Sequence, residues 1–155
     1  MNQLLDYRSK LVAQLETVTE EFRAACLVVG DPFKAVDDGG WNTHQVAAHT
    51  RDVDEMVYGL RTRRTAQEDH PTFQNFDGDV WMAAHYNADE PLASILDELS
   101  ASVRQTVALL RELPTEGWGR ESSHEIYGDG FTLQTWVERG LAHIQEHVDT
   151  VKKAA

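Results

Sequence analysis

Residues 132–151 read Thr-Leu-Gln-Thr-Trp-Val-Glu-Arg-Gly-Leu-Ala-His-Ile-Gln-Glu-His-Val-Asp-Thr-Val. Leu133, Val137, Leu141, Ile144, Val148 and Val151 recur every three or four positions, as one face of an α-helix requires. Thr132 stands at the N-cap, where a hydroxyl accepts from an orphan backbone N–H. His143 and His147 are one turn apart, with Cβ atoms about 5–6 Å from each other. At about 100° per residue they lie about 100° and 60° from Ile144, both on the same side. The pair therefore rides the shoulder of the apolar stripe, between core and rim.

Working outward, three more segments carry the same period. Leu4, Tyr7, Leu11, Leu15, Val18, Phe22, Ala25 and Val29 form one face, and Gly30-Asp31-Pro32 ends it. A polar stretch, Asp37-Asp38-Gly39-Gly40, leads to Trp41 and then Asn42, with Gln45 three residues on to complete a capping box. The helix it opens aligns Val46, His49, Val53, Val57 and Leu60. The next opens at Asp89-Glu90-Pro91 and aligns Leu92, Ile95, Leu99, Val103, Thr106, Leu110 and Leu113 before Pro114. Two connections are long, Glu68 to Asp89 and Pro114 to Gly130. The first predicts a short helix over 79–85, and a connection of such length is expected to be functional or partly helical. No segment alternates with period two for long enough to predict a strand. The expected fold is all-α: one domain over residues 1–155, a four-helix bundle with two long inter-helix connections.

Composition narrows the function. The chain has 155 residues, one Cys (Cys26), and 14 Lys+Arg against 26 Asp+Glu, a net charge of −12. Such a surface repels a phosphate backbone, so no nucleic-acid partner is expected. One Cys excludes a disulfide framework and a Cys-based zinc finger. There is no apolar run of membrane-spanning length and no signal peptide, so a cytoplasmic location is expected. The one basic cluster, Arg61, Arg63 and Arg64, falls near a helix end, where cations complement the macrodipole, or else forms an anion site.

Two imidazoles at i and i+4 can close on one ion at metal–nitrogen distances of about 2.0–2.1 Å. Two ligands hold an ion weakly, and His49, facing inward from the second helix, is the third candidate. Three protein ligands leave a coordination position open, the pattern of a catalytic rather than a structural metal. With seven histidines in the chain, this spacing also arises by chance, and an inward histidine is also a common hydrogen-bonded core residue. His44 is expected to point about 140° away from His49. His70, His85 and His124 fall in the connections and read as surface or locally bonded residues.

Taken in order, these pieces resemble the DinB-like (DinB/YfiT) superfamily of metalloenzymes. The matching stretches are Trp41-Asn42-Thr43-His44-Gln45-Val46-Ala47-Ala48-His49, Phe76-Asp77-Gly78-Asp79-Val80-Trp81, Trp118-Gly119-Arg120, His124-Glu125-Ile126-Tyr127-Gly128, and Phe131-Thr132-Leu133 running into His143-Ile144-Gln145-Glu146-His147. The resemblance implies metal ligation by His49, His143 and His147, a four-helix bundle and a homodimer. Many members carry a further His before the last ligand. This chain has Glu146 there, read as non-ligating. The family's characterised branches imply thiol-dependent S-transfer to small electrophiles, and other members are called hydrolases.

Two enzymatic readings follow, a transferase in which the metal holds a low-molecular-weight thiol and a hydrolase that activates water. The substrate is then a small molecule. The ion is a divalent transition metal, zinc or nickel ahead of iron or manganese. An anionic thiol asks for a cation, and Arg51, Arg120 and Arg139 are the candidates. A non-catalytic metal or small-ligand binding module is the alternative, because no Asp or Glu is placed as a general base. Asp52 and Glu146 are candidates only for orienting an imidazole. A metal-free structural bundle is the third reading.

Overall fold

The computed structural model describes residues 2–36 and 40–154, so of the polar stretch 37–40 only Gly40 lies within the described residues. Helix α1 spans Asn2–Leu27 and α2 spans Thr43–Val53. A π-helical turn, Asp54–Tyr58, leads without a break into α3, Gly59–Gln67. The short helix α4 runs over Gly78–His85, α5 over Leu92–Glu112, and α6 over Leu133–Lys152. Four rods therefore form the bundle: α1, the joined α2–α3, α5 and α6. Helix α1 packs against α5 and α6, and the α2–α3 rod closes the other side against the same two.

The expected caps are present. Asn42 accepts the Gln45 backbone N–H at 2.7 Å, and the Gln45 side chain accepts the Asn42 N–H at 2.9 Å. Thr132 Oγ1 accepts the Thr135 N–H. The stripes meet in one core of Phe22, Ile95, Leu96, Leu99, Leu133, Ile144, Val148 and Val151, all essentially inaccessible to solvent. The α1 stripe is buried only from Leu11 onward: Leu4 and Tyr7 remain exposed.

Two expectations need correction. The first concerns strands. Both long connections meet in a small sheet of β1 (Thr72–Phe73), β2 (Glu121–His124) and β3 (Gly128–Thr132), in the order β1-β2-β3. β1 runs parallel to β2, pairing Thr72 with Ser123 and Phe73 with His124. β2 and β3 form a hairpin whose turn closes at Gly128, φ +82°, a conformation that favours glycine. Strands of two to five residues are too short to display alternation.

The second correction concerns the face of the α2–α3 rod. The π turn, marked by the Gly59 N–H donating to the Asp54 carbonyl five residues back, inserts one extra residue. In an unbroken α-helix Leu60 would lie about 20° from His49 in projection and Arg61 about 120°. One inserted residue exchanges them, bringing Arg61 to within about 20° and swinging Leu60 about 80° aside. Burial agrees: Arg61 is 7% exposed and Leu60 only half-buried. A Cβ at Gly59 would lie 2.6 Å from the Asp54 carbonyl oxygen, so glycine is the residue that lets the turn close.

Candidate metal centre

His49 comes from the middle of α2, and His143 and His147 from successive turns of α6. The three rings converge. His143 Nε2 lies 3.2 Å from His49 Nε2 and 3.0 Å from His147 Nε2. The expected juxtaposition of all three is thus present, and among the described residues this is the only group of three or more His, Cys, Asp or Glu side chains clustered closely enough to hold an ion.

Hydrogen bonding does not account for this cluster. The single lone pair or proton on His143 Nε2 cannot serve two neighbouring nitrogens at once. His147 Nδ1 is buried without a partner. A tetrahedral ion with bonds of about 2.0–2.1 Å keeps its donors roughly 3.3 Å apart, close to the separations found. Burial, followed by the charge of His147, pushes His49 down to about 4 against the opposing pull of Asp52, Asp79 and Glu146. Burial with the charges of His147 and His49 takes His143 to about 3, and burial takes His147 to about 4. All three rings are neutral at pH 7, the form in which imidazole ligates a metal.

Neighbouring residues shape the cluster. The Trp41 ring sits 4.9 Å from the His49 ring. A Cβ at Gly78, the first residue of α4, would come within 3.0 Å of His49 Cε1, so this glycine lets α4 close over the ring. Tyr58 lies 5.5 Å from the His143 ring and packs over Gly140, where a Cβ would meet its own Cβ at 3.0 Å. None of these four residues stood out in the sequence as a site residue.

The remaining candidates divide. Asp52 accepts from Arg51 Nε at 2.9 Å and from Trp81 Nε1 at 3.2 Å, with no hydrogen bond to an imidazole found. Arg51 is held by Asp52, Glu90 and Glu98. Arg120 donates to the carbonyls of Thr65 and Glu68. Glu146 is exposed. His44 is buried, its Nε2–H donating to the Glu90 carbonyl at 2.6 Å while Nδ1 accepts from the Tyr86 hydroxyl at 2.6 Å. His85 stacks on Trp81 at 3.6 Å, and His70 lies exposed beside Ser123 and Asp129. His124 Nδ1 accepts the N–H groups of Ile126 and Tyr127 and so secures the hairpin turn. In the basic cluster, Arg61 and Arg63 turn inward, Arg63 to Ser102 and Thr106 of α5, and only Arg64, paired with Glu68, matches the helix-end reading.

These features define a helical bundle with three neutral imidazoles facing one another across two of its rods. The chain belongs to the DinB superfamily, whose model matches residues 3–151. Among solved structures, it is similar to YfiT from Bacillus subtilis, described as a probable metal-dependent hydrolase with an unusual four-helix bundle topology. The TM-score is 0.85 at 23% identity, covering 95% of this chain and 85% of that one. That likeness establishes the shared fold. A comparison with curated proteins gave no match. No helix among the described residues is long and apolar enough to cross a membrane.

Proposed function

We propose that this protein is a metal-dependent enzyme acting on small molecules, with His49, His143 and His147 as the protein ligands of one divalent ion. The observation that carries the reading is the convergence of three imidazoles, with the His49 and His147 Nε2 atoms 3.2 and 3.0 Å from His143 Nε2 and no hydrogen-bond pattern to satisfy all three. Zinc or nickel suits three imidazoles, with iron or manganese as further occupants. When bound, the ion supplies a Lewis acid that lowers the pKa of a thiol or of water. The chain's own part is to keep three rings neutral and aimed, to exclude water on the Trp41 side, and to hold α4 close over His49 through Gly78.

Of the two reactions, thiol transfer to a small electrophile is favoured over hydrolysis. Hydrolysis calls for a base to take the proton of water, and Asp52, the obvious acid near His49, is already engaged by Arg51 and Trp81. YfiT's description as a metal-dependent hydrolase keeps hydrolysis as the competing reaction. The same engagement of Asp52 favours a second reading, a metal or small-ligand binding module without turnover. A single domain with one ion per chain, assembled as a homodimer in the cytoplasm, completes the proposal.

The test is direct. Protein purified without chelator is expected to carry close to one equivalent of metal by elemental analysis, and His147→Ala to lose it. The zinc-loaded protein is then assayed with small thiols and electrophiles, and with hydrolysable esters. Thiol conjugation abolished by His147→Ala supports the transferase, and ester cleavage alone supports the hydrolase. Metal binding with neither activity supports the binding module. Metal-free protein that takes up no zinc overturns all three, and light scattering decides the dimer.

A further inference from the structure

A cavity of about 150 Å³, linked to the imidazole cluster through Tyr58, is lined by Tyr58, Arg61, Asn75, His124, Tyr127 and Arg139, among others. Two arginines in one small cavity repel each other, and in a chain of net charge −12 each would ordinarily find a carboxylate. Among the described residues neither does: no ion pair includes Arg61 or Arg139. Arg61 donates one hydrogen bond, to the Gln74 carbonyl at 2.9 Å, out of five N–H donors. No side-chain hydrogen bond of Arg139 is found. Glu125, on the neighbouring turn, accepts the Asn75 backbone N–H instead.

The two guanidinium groups are held by their faces. Phe131 and Trp136 stack at 4.8 Å and 13°. Arg139 lies 5.3 Å over Phe131, and Arg61 lies 4.8 Å over Trp136. Stacking fixes a guanidinium plane and leaves its N–H edge free for a planar anion.

Position ties this pair to the metal centre. On α6, Arg139, His143 and His147 are spaced by four, one ladder on one helix face, so Arg139 sits one turn from His143. On the α2–α3 rod, the π turn swings Arg61 into line with His49. Tyr58 bridges the two, touching His143 and lining the cavity. Both rods therefore present an imidazole and then an arginine in the same direction.

We propose that Arg61 and Arg139 form the carboxylate-binding subsite of this enzyme, holding the anionic end of a small reactant whose other end lies at the metal. This rests on the metal-centre reading above and adds the substrate class: a short carboxylate, limited by the cavity to a few carbon atoms. A bidentate guanidinium–carboxylate pairing supplies the orientation.

The experiment separates the two claims. Nε–Hε resonances of Arg61 and Arg139 are followed by NMR in zinc-loaded and metal-free protein during titration with propionate, and with neutral propionamide as control. Saturable shifts of both arginines with propionate alone are expected in either form. Arg139→Gln is expected to weaken propionate at least tenfold. Absence of saturable shifts, or an unchanged affinity in Arg139→Gln, overturns the subsite, whatever the metal does. A protein that binds no zinc but shows the shifts instead overturns the metal reading and leaves the subsite standing.

In cobalt-loaded protein, thiolate absorption bands then report 3-mercaptopropionate against 2-mercaptoethanol. A preference of tenfold or more for the acid, lost in Arg139→Gln with mercaptoethanol unchanged, places the carboxylate on the thiol. No preference, with propionate still competing against an electrophile in the conjugation assay, places it on the electrophile.

Discussion

Replacing Gly59 by alanine tests the feature that connects the imidazoles to the arginines. In an ordinary helix interior, Gly→Ala stabilises by about 1 kcal/mol through backbone entropy. Gly59 is not ordinary. Its Cβ would stand 2.6 Å from the Asp54 carbonyl oxygen and 2.9 Å from Asp54 Oδ2, with Arg63 at 3.0 Å. The first of these is backbone, which cannot swing aside. Forcing an extra methyl into such a site costs about 1–3 kcal/mol, enough to cancel or reverse the gain. The net cost is then about 0–2 kcal/mol, and at about 2–4 °C per kcal/mol for a chain of this size Gly59→Ala is expected to leave the melting temperature unchanged or lower it by up to roughly 8 °C, where helix propensity alone predicts a rise. The rod can escape the clash by absorbing the π turn, and that turns Arg61 about 100° away from the His49 face. His49 precedes the turn and stays. Metal content measured by elemental analysis should therefore be unchanged, while propionate binding followed by NMR falls at least tenfold. A Gly59→Ala protein that melts higher and binds propionate normally would refute the reasoning at its root, since the turn would then have no steric reason to exist.

Further outcomes follow from burial and bonding. Zinc at one hundred times its dissociation constant should stabilise the protein by about 2.7 kcal/mol, read as a rise in melting temperature that His147→Ala abolishes. His44→Ala should do the reverse: metal content holds, while the buried His44 ring and its bond to the Glu90 carbonyl are lost and stability falls by about 1–3 kcal/mol in urea unfolding. Leu99→Ala, at a site 1% exposed, should cost about 2–5 kcal/mol by the same measurement. The pH dependence of the metal-free protein has a definite sign. The folded rings resist protonation down to about 4, 3 and 4, whereas in the unfolded chain they charge near about 6.5. The unfolded state therefore binds more protons between those limits. The triad's contribution is fully present above about pH 6.5 and is lost as pH falls toward 4, by on the order of 1 kcal/mol per ring per pH unit. Urea midpoints at pH 7.5 and 5 should differ accordingly, and zinc-loaded protein should fall by as much from a higher midpoint, because its folded rings likewise bind no protons over that interval.

What the sequence disclosed and what it withheld have one physical origin. Helix stripes, the caps at Asn42 and Thr132, and the i, i+4 histidine pair all depend on the regular 3.6-residue period, which spacing reports faithfully. The same regularity puts Leu60 in the core stripe and Arg61 off it, in a basic cluster near a helix end. A single inserted residue leaves composition and spacing untouched yet rotates everything after it, and its only local trace is a glycine whose necessity appears once the Asp54 carbonyl is in place. The sheet stayed hidden for a related reason. β1 and β2 lie far apart in the chain and are too short to alternate, so their pairing is decided by tertiary contact. Glycine acts the same way at Gly78 and Gly140, each admitting a side chain from another element to the site.

On the α2–α3 rod, the residue whose facing the spacing reports and the one whose facing it misplaces divide at one point. His49 lies before the π turn, where the expected register holds. Tyr58 and Arg61 lie at its end or beyond it, where the register has moved by one. The apolar stripe on this rod gives way to a charged residue on a face that must still pack. Phe73 and Trp136 cover that charge with aromatic faces in place of a counter-ion. A rod built only for stability would have continued with Leu60 facing inward and left Arg61 in water. The cost of burying a guanidinium without a carboxylate is the reason to assign that register shift to ligand binding.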